Sequence, residues 1–146
     1  MSYIIALTIH IISIVIWIGG VAFVTMVTFP MILRMDKSLE MVLMFQGTEH
    51  RFGKIAKLMV ILAGLSGLYL IYEKGISSGV WLMIVIWSFY AALLFGLEKM
   101  IFKRLFARPS NDMDTKKVFN ILQTFHWVVL GLSLLAIIAG IYAGHY

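Results

Sequence analysis

Four long apolar runs, separated by short polar segments, limit the folds open to this chain more than any other feature. They cover about residues 3–33, 50–72, 80–105 and 117–143. Each has the roughly 20 residues that an α-helix needs to cross a bilayer. We therefore expect an all-α fold, an integral membrane antiparallel four-helix bundle in which residues 1–146 form one transmembrane domain.

Composition supports the same class of protein and narrows its chemistry. The chain is 62% hydrophobic and 13% charged, whereas soluble domains are roughly 25% charged. It contains no cysteine, which excludes disulfides, thiolate catalysis and cysteine-ligated clusters, so a metal would need His, Met, carboxylate or backbone ligands. The first apolar run is too long for a signal peptide and lacks a basic n-region, so we expect it to be retained.

The connections between the runs carry their own patterns. Residues 34–55 have an amphipathic helical pattern that predicts a helix continuing into the second span. Glycine and serine at 75–79 predict a tight turn, and Pro109 marks a loop before the fourth span.

Lysine and arginine set the expected topology. Eleven of the 12 flank the first and third connections. The positive-inside rule then predicts that both termini lie outside the cytoplasm. We expect the membrane to be a bacterial or archaeal inner membrane. The net charge of +5 then reflects topology and contact with membrane lipids, and we expect no nucleic-acid partner.

One helical stripe of the first span carries an ionisable side chain. His10, Ser13, Trp17 and Gly20 follow one another at offsets of three, four and three, which place them on one helix face. An ionisable side chain inside a membrane costs free energy and usually has a function. His10, together with Trp17 on the same helix face, is therefore a candidate functional site.

Three further histidines complete a candidate ligand set. We expect His126 to lie within the hydrocarbon like His10, and His50 and His145 to lie at the two membrane boundaries. Burial favours the neutral imidazole, the form that ligates a metal. The alternative for each buried ring is a histidine that only donates a hydrogen bond to backbone.

The surroundings of these histidines favour a flat ligand. Gly64 and Gly67 lie near the His50 face, and small residues let a planar ring approach, although helix packing uses small residues more often. Haem b fits, as one or two groups: imidazoles would supply axial ligands, and Arg51 or Lys54 would pair with propionates. Copper is the competing metal because histidine and methionine both bind it, but the methionines lie mainly on the cytoplasmic side.

Two segments resemble known families. The run from His10 to Pro30, H-x6-W-x-G-G-x2-F-x6-P, resembles the first span of the copper-resistance CopD-like family. The residues from Glu49 to Phe52, leading to G-L-S-G-L-Y-L at 64–70, resemble the second span of that family and of the HemJ-type protoporphyrinogen oxidases. The resemblance implies a haem-binding four-helix membrane protein.

Together these observations predict a haem b-binding membrane protein of electron transfer or redox type, with a quinone or a redox partner protein as its partner. The candidate cofactor residues are His10, His50, His126, His145, Trp17, Arg51 and Lys54, and the first three histidines are the candidate metal ligands. Two haems would pair His10 with His145 and His50 with His126. The alternatives are a CopD-like copper protein, a HemJ-like oxidase and a structural subunit, and a homo-oligomer is compatible with each.

Overall fold

A computed structural model of the chain describes the backbone of residues 2–97, 100, 103 and 112–145. Within these residues the structure is helical and contains no strand. The helices are α1 (Ser2–Phe23), α2 (Phe29–Leu33), α3 (Ser38–Lys74), α4 (Ser78–Ala92) and α5 (Asp112–His145), with π-helical turns at Val24–Thr28 and Leu93–Leu97.

Four of the described segments are long and apolar enough to cross a membrane, which confirms the predicted fold class. They are Ser2–Leu33, Ser38–Lys74, Ser78–Gly96 and Asp114–Tyr142. The predicted helix in the first connection is confirmed, because α3 begins at Ser38 and runs without a break into the second span. The predicted end of the third span and the loop at Pro109 lie outside the described residues.

The turn between α3 and α4 follows the predicted chemistry. Gly75 ends α3 with a φ of 83°, a conformation that side chains disfavour and glycine adopts freely. The Ser77 hydroxyl then accepts the Val80 N–H at 3.4 Å and caps the start of α4. The turn therefore reverses the chain within a few residues, and α3 and α4 run antiparallel.

The first span contains a π-helical turn just before its proline. Pro30 has no backbone N–H, and its ring clashes with the carbonyl four residues earlier in a regular α-helix. The turn at Val24–Thr28 widens the helix at this point, which is a common way of accommodating such a break. Thr25 is fully buried here, and its hydroxyl donates to the Val21 carbonyl at 2.7 Å.

The helices pack mainly in two pairs. α1 lies against α3, and α4 lies against α5, while smaller contacts between α3 and α4 and between α1 and α5 close the bundle. The core has two parts. One contains Trp17, Val21, Ala56, Val60, Ile86, Tyr90 and Val129. The other contains Val24, Phe29, Ile32, Met41, Phe45, Phe119 and Leu122.

Candidate functional site

His10 lies at the contact between α1 and α3. Its Nδ1 is 2.9 Å from the Ala63 carbonyl oxygen and 3.2 Å from the Ser66 hydroxyl. Because a carbonyl oxygen only accepts, Nδ1 carries the hydrogen and Nε2 keeps its lone pair. This arrangement, with Nδ1–H donating to a backbone carbonyl, is the usual way in which a protein fixes a metal-binding imidazole.

Gly67 makes room for the His10 ring. A methyl group built on Gly67 would lie 3.1 Å from His10 Cε1, closer than side-chain carbons normally approach one another. The absence of a side chain therefore lets the imidazole reach the α3 backbone. The sequence pattern predicts Gly67 near the His50 face of the second span. In the structure Gly67 instead lies against the His10 ring.

The stripe predicted on α1 faces the bundle interior, but most of it is occupied by protein packing. Ser13 is 2% exposed and Trp17 is 5% exposed. Trp17 packs edge-on against Tyr90 with ring centroids 4.5 Å apart, and a methyl group on Gly20 would overlap the Phe52 ring. Trp17 is seven residues from His10, or about 10 Å of helix rise, so it belongs to the core rather than to the surroundings of that imidazole.

His126 has the same hydrogen-bond pattern as His10. Its Nδ1 donates to the Leu122 carbonyl of its own helix at 2.8 Å, so Nε2 again keeps its lone pair. The half-buried ring packs edge-on against Phe29, with centroids 4.8 Å apart, and lies 6.1 Å from Phe125. The ring is thus held by its own helix and by Phe29 of the first span.

The structure does not bring His10 and His126 together. His126 contacts Phe29, which lies nineteen residues after His10 in the first span. At 1.5 Å per residue this separation is about 28 Å of helix rise. One haem therefore cannot be ligated by both rings. His145 lies nineteen residues after His126 on α5, which returns its backbone toward the level of His10, but its side chain lies outside the described residues.

His50, Arg51 and Lys54 lie on the outer surface of α3. All three are exposed, and Lys54 Nζ donates to His50 Nε2 at 3.3 Å. His50 lies about 120° around the helix from Ala56, which is 2% exposed in the core. The structure therefore does not bring these three residues into the bundle interior. In His50 the Nε2 atom accepts a hydrogen bond from Lys54, whereas in His10 and His126 the hydrogen bonds are made by Nδ1.

Aromatic and thioether side chains fill the spaces beside two other glycines. A methyl group on Gly64 would lie 2.5 Å from Trp87 Cζ2, and Trp87 Nε1 donates to the Val60 carbonyl at 2.9 Å. A methyl group on Gly140 would lie 3.2 Å from the Met83 sulfur. These glycines serve side-chain packing between helices, the commoner of the two roles that small residues have in membrane bundles.

A polar contact between α4 and α5 was not predicted from the sequence. The Tyr90 hydroxyl donates to the Val129 carbonyl at 2.6 Å and meets the Ser133 hydroxyl, which donates to the same carbonyl at 2.8 Å. Tyr90 is 3% exposed. Ser133 is a polar residue within the apolar fourth span, but nothing in the sequence indicates its partner.

Within the part of the chain that the structure describes, no three His, Asp or Glu side chains lie together as a metal-binding group. Among the methionines considered for copper, Met41 is fully buried in the core. Comparisons with protein-family models, curated protein sequences and solved structures found no match to this chain. Fold and site thus define a membrane four-helix bundle in which His10 and His126, the two described histidines with partly buried rings, lie near opposite ends of the first span.

Proposed function

We propose that this chain is a haem b-binding integral membrane protein that passes single electrons, in which His10 would be the principal ligand of the iron. The observation that carries the proposal is the Nδ1–H of His10 held 2.9 Å from the Ala63 carbonyl. This bond selects the tautomer that ligates iron through Nε2 and fixes the plane of the ring.

His126 is the second proposed ligand, in a separate site. Its hydrogen-bond pattern matches that of His10, but the two rings are separated by about 28 Å of helix rise. The proposal therefore places one haem toward each end of the bundle, and we assign His145 to the His10 site because its backbone returns toward that level. His50 is not assigned as a ligand, since its Nε2 accepts from Lys54.

Bound haem would supply a one-electron carrier, and the protein would supply the imidazole, its orientation and an apolar surround. A quinone or a redox protein would be the electron partner. The positive-inside rule supports an inner membrane with both termini outside the cytoplasm. Arg51 and Lys54 lie on the outer surface of α3, which favours a role at the lipid boundary over propionate pairing inside the bundle.

The test is an absorption spectrum of the purified protein before and after dithionite, together with a pyridine haemochrome assay. We expect a Soret band that shifts on reduction, and a haem-to-protein ratio near two. His10→Ala and His126→Ala should each change or remove one haem signal, because each removes an axial ligand. His50→Ala is the matched control and should keep the wild-type spectrum.

The other outcomes separate the competing functions. A colourless protein that retains copper would support the CopD-like alternative, and a colourless metal-free protein would support a structural subunit. A red protein whose spectrum is unchanged in both His10→Ala and His126→Ala would refute the ligand assignment. Turnover of protoporphyrinogen by the purified protein would support the HemJ-like oxidase.

A further inference from the structure

Three cationic or basic side chains share one turn on the outer surface of α3. His50 and Lys54 are four residues apart and joined by a hydrogen bond of 3.3 Å, and Arg51 is three residues from Lys54. Residues three and four apart are neighbours on a helix surface. Within the described residues neither Lys54 nor Arg51 forms a salt bridge with a carboxylate. The turn therefore has three basic side chains, and Glu49 is the acidic residue that precedes them in the sequence.

The charged turn of α3 lies beside the middle of the first span rather than beside its end. Phe52, between Arg51 and Lys54, packs at Gly20, and the apolar first span continues for thirteen more residues to Leu33. The charged turn of α3 therefore lies about 20 Å before the end of the first span, measured along that helix. At that level the first span still exposes Phe23, 59% accessible, and Met26, 55% accessible.

An apolar stripe extends from the charged turn along α3. Ile61, Leu65 and Leu68 follow Lys54 at helical spacing, and they are 45%, 62% and 64% exposed. Leu58, 53% exposed, lies between Lys54 and Ile61. This surface combines cations at one end with a row of branched apolar side chains leading toward the other membrane face.

We propose that Arg51 and Lys54, with His50 beside them, bind the phosphate of an anionic phospholipid whose acyl chains lie along Ile61, Leu65 and Leu68. Arginine binds phosphate oxygens with two parallel hydrogen bonds, and lysine contributes a point charge. Lys54 has three donors and uses one for His50, which leaves two for a phosphate. A headgroup bound here neutralises the positive charge beside the exposed apolar side chains of the first span.

The experiment is a native mass spectrometry titration of the purified full chain with short-chain phosphatidylglycerol, and in parallel with phosphatidylcholine of the same chain length. We expect phosphatidylglycerol to bind more tightly. Lys54→Gln should weaken its binding roughly fivefold, the effect of one basic residue near an anionic lipid surface. Arg51→Gln/Lys54→Gln should weaken it further, while binding of phosphatidylcholine should stay at the wild-type level.

Lys37→Gln is the matched control. Lys37 is an exposed lysine that directly precedes α3, and it already pairs with Glu40 at 3.6 Å. Its loss therefore removes the same charge away from the proposed site. Equal weakening in Lys37→Gln and Lys54→Gln would overturn the proposal, because it would show a general effect of net charge. All the substituted residues are exposed, and unchanged thermal unfolding should confirm that each variant is folded.

Two further measurements exclude other anions. Inorganic phosphate at tenfold excess should not displace the lipid, because the acyl chains contribute to binding; displacement would identify a site for free phosphate and overturn the proposal. The haem content of Lys54→Gln should equal that of the wild type. A lower haem content would assign the lysine to a propionate instead, again against the proposal.

Discussion

Replacing Gly64 with alanine tests whether the small residues of α3 serve protein packing. The new methyl group would lie 2.5 Å from Trp87 Cζ2 and 2.9 Å from Trp87 Cε2. The indole cannot move away freely, because its Nε1 donates to the Val60 carbonyl. Either α3 and α4 separate, or Trp87 gives up its hydrogen bond.

The magnitude follows from three terms. Overpacking costs about 1–3 kcal/mol, and loss of the indole hydrogen bond costs about 0.5–1.5 kcal/mol. Alanine recovers about 1 kcal/mol of helix propensity relative to glycine. We therefore expect Gly64→Ala to lower the free energy of unfolding by about 0.5–3.5 kcal/mol once these terms are combined.

Gly131→Ala is the matched control, because a methyl group there would have no neighbour within 4 Å. It should leave stability unchanged or raise it by up to about 1 kcal/mol. Both variants would be unfolded by SDS in mixed micelles and followed by circular dichroism. Equal effects of the two substitutions would refute the packing argument. In a Trp87→Phe background the cost of Gly64→Ala should shrink, since the smaller ring makes no hydrogen bond that the methyl group could break.

Two further predictions concern the bundle as a whole. Tyr90→Phe should lower the free energy of unfolding by about 1 kcal/mol, because it removes the hydroxyl that donates to Val129; Tyr72→Phe, at an 86% exposed position, should have no effect in the same SDS titration. Reporter fusions after Lys74 and after the final residue should both report a location outside the cytoplasm, and an internal signal at either site would contradict the proposed topology.

The helices were predictable because their cause is local to the sequence. A long apolar run without charges has one stable form in a bilayer, and the amphipathic pattern before the second span correctly predicted the helix that begins at Ser38. The inward direction of His10, Ser13 and Trp17 followed from helical spacing alone. These features require only the period of the α-helix and the length of the apolar run.

The partners of the side chains were not predictable, because they depend on which helices meet. Nothing in the sequence indicates that Trp87 bonds to Val60 or that Tyr90 bonds to Val129. His50 lies close to Gly64 on a helical wheel, yet the centre of the buried face of α3 lies further round, near Ala56. An error of about 120° around the helix, the angle between His50 and Ala56, is enough to exchange an interior position for an outer one.

The hydrogen bonds of His10 and His126 differ in a way that affects how their loss should be interpreted. His10 donates to α3, so its removal breaks a contact between two helices as well as a ligand. His126 donates to its own helix at Leu122, and its removal breaks no hydrogen bond between helices. A spectral change in His126→Ala at unchanged stability would therefore report ligation directly. For His10→Ala a packing control is needed. Ser66→Ala is suitable, because it also alters the contact of the His10 ring with α3. A spectral change in His10→Ala reports ligation only when His10→Ala and Ser66→Ala unfold at the same SDS concentration.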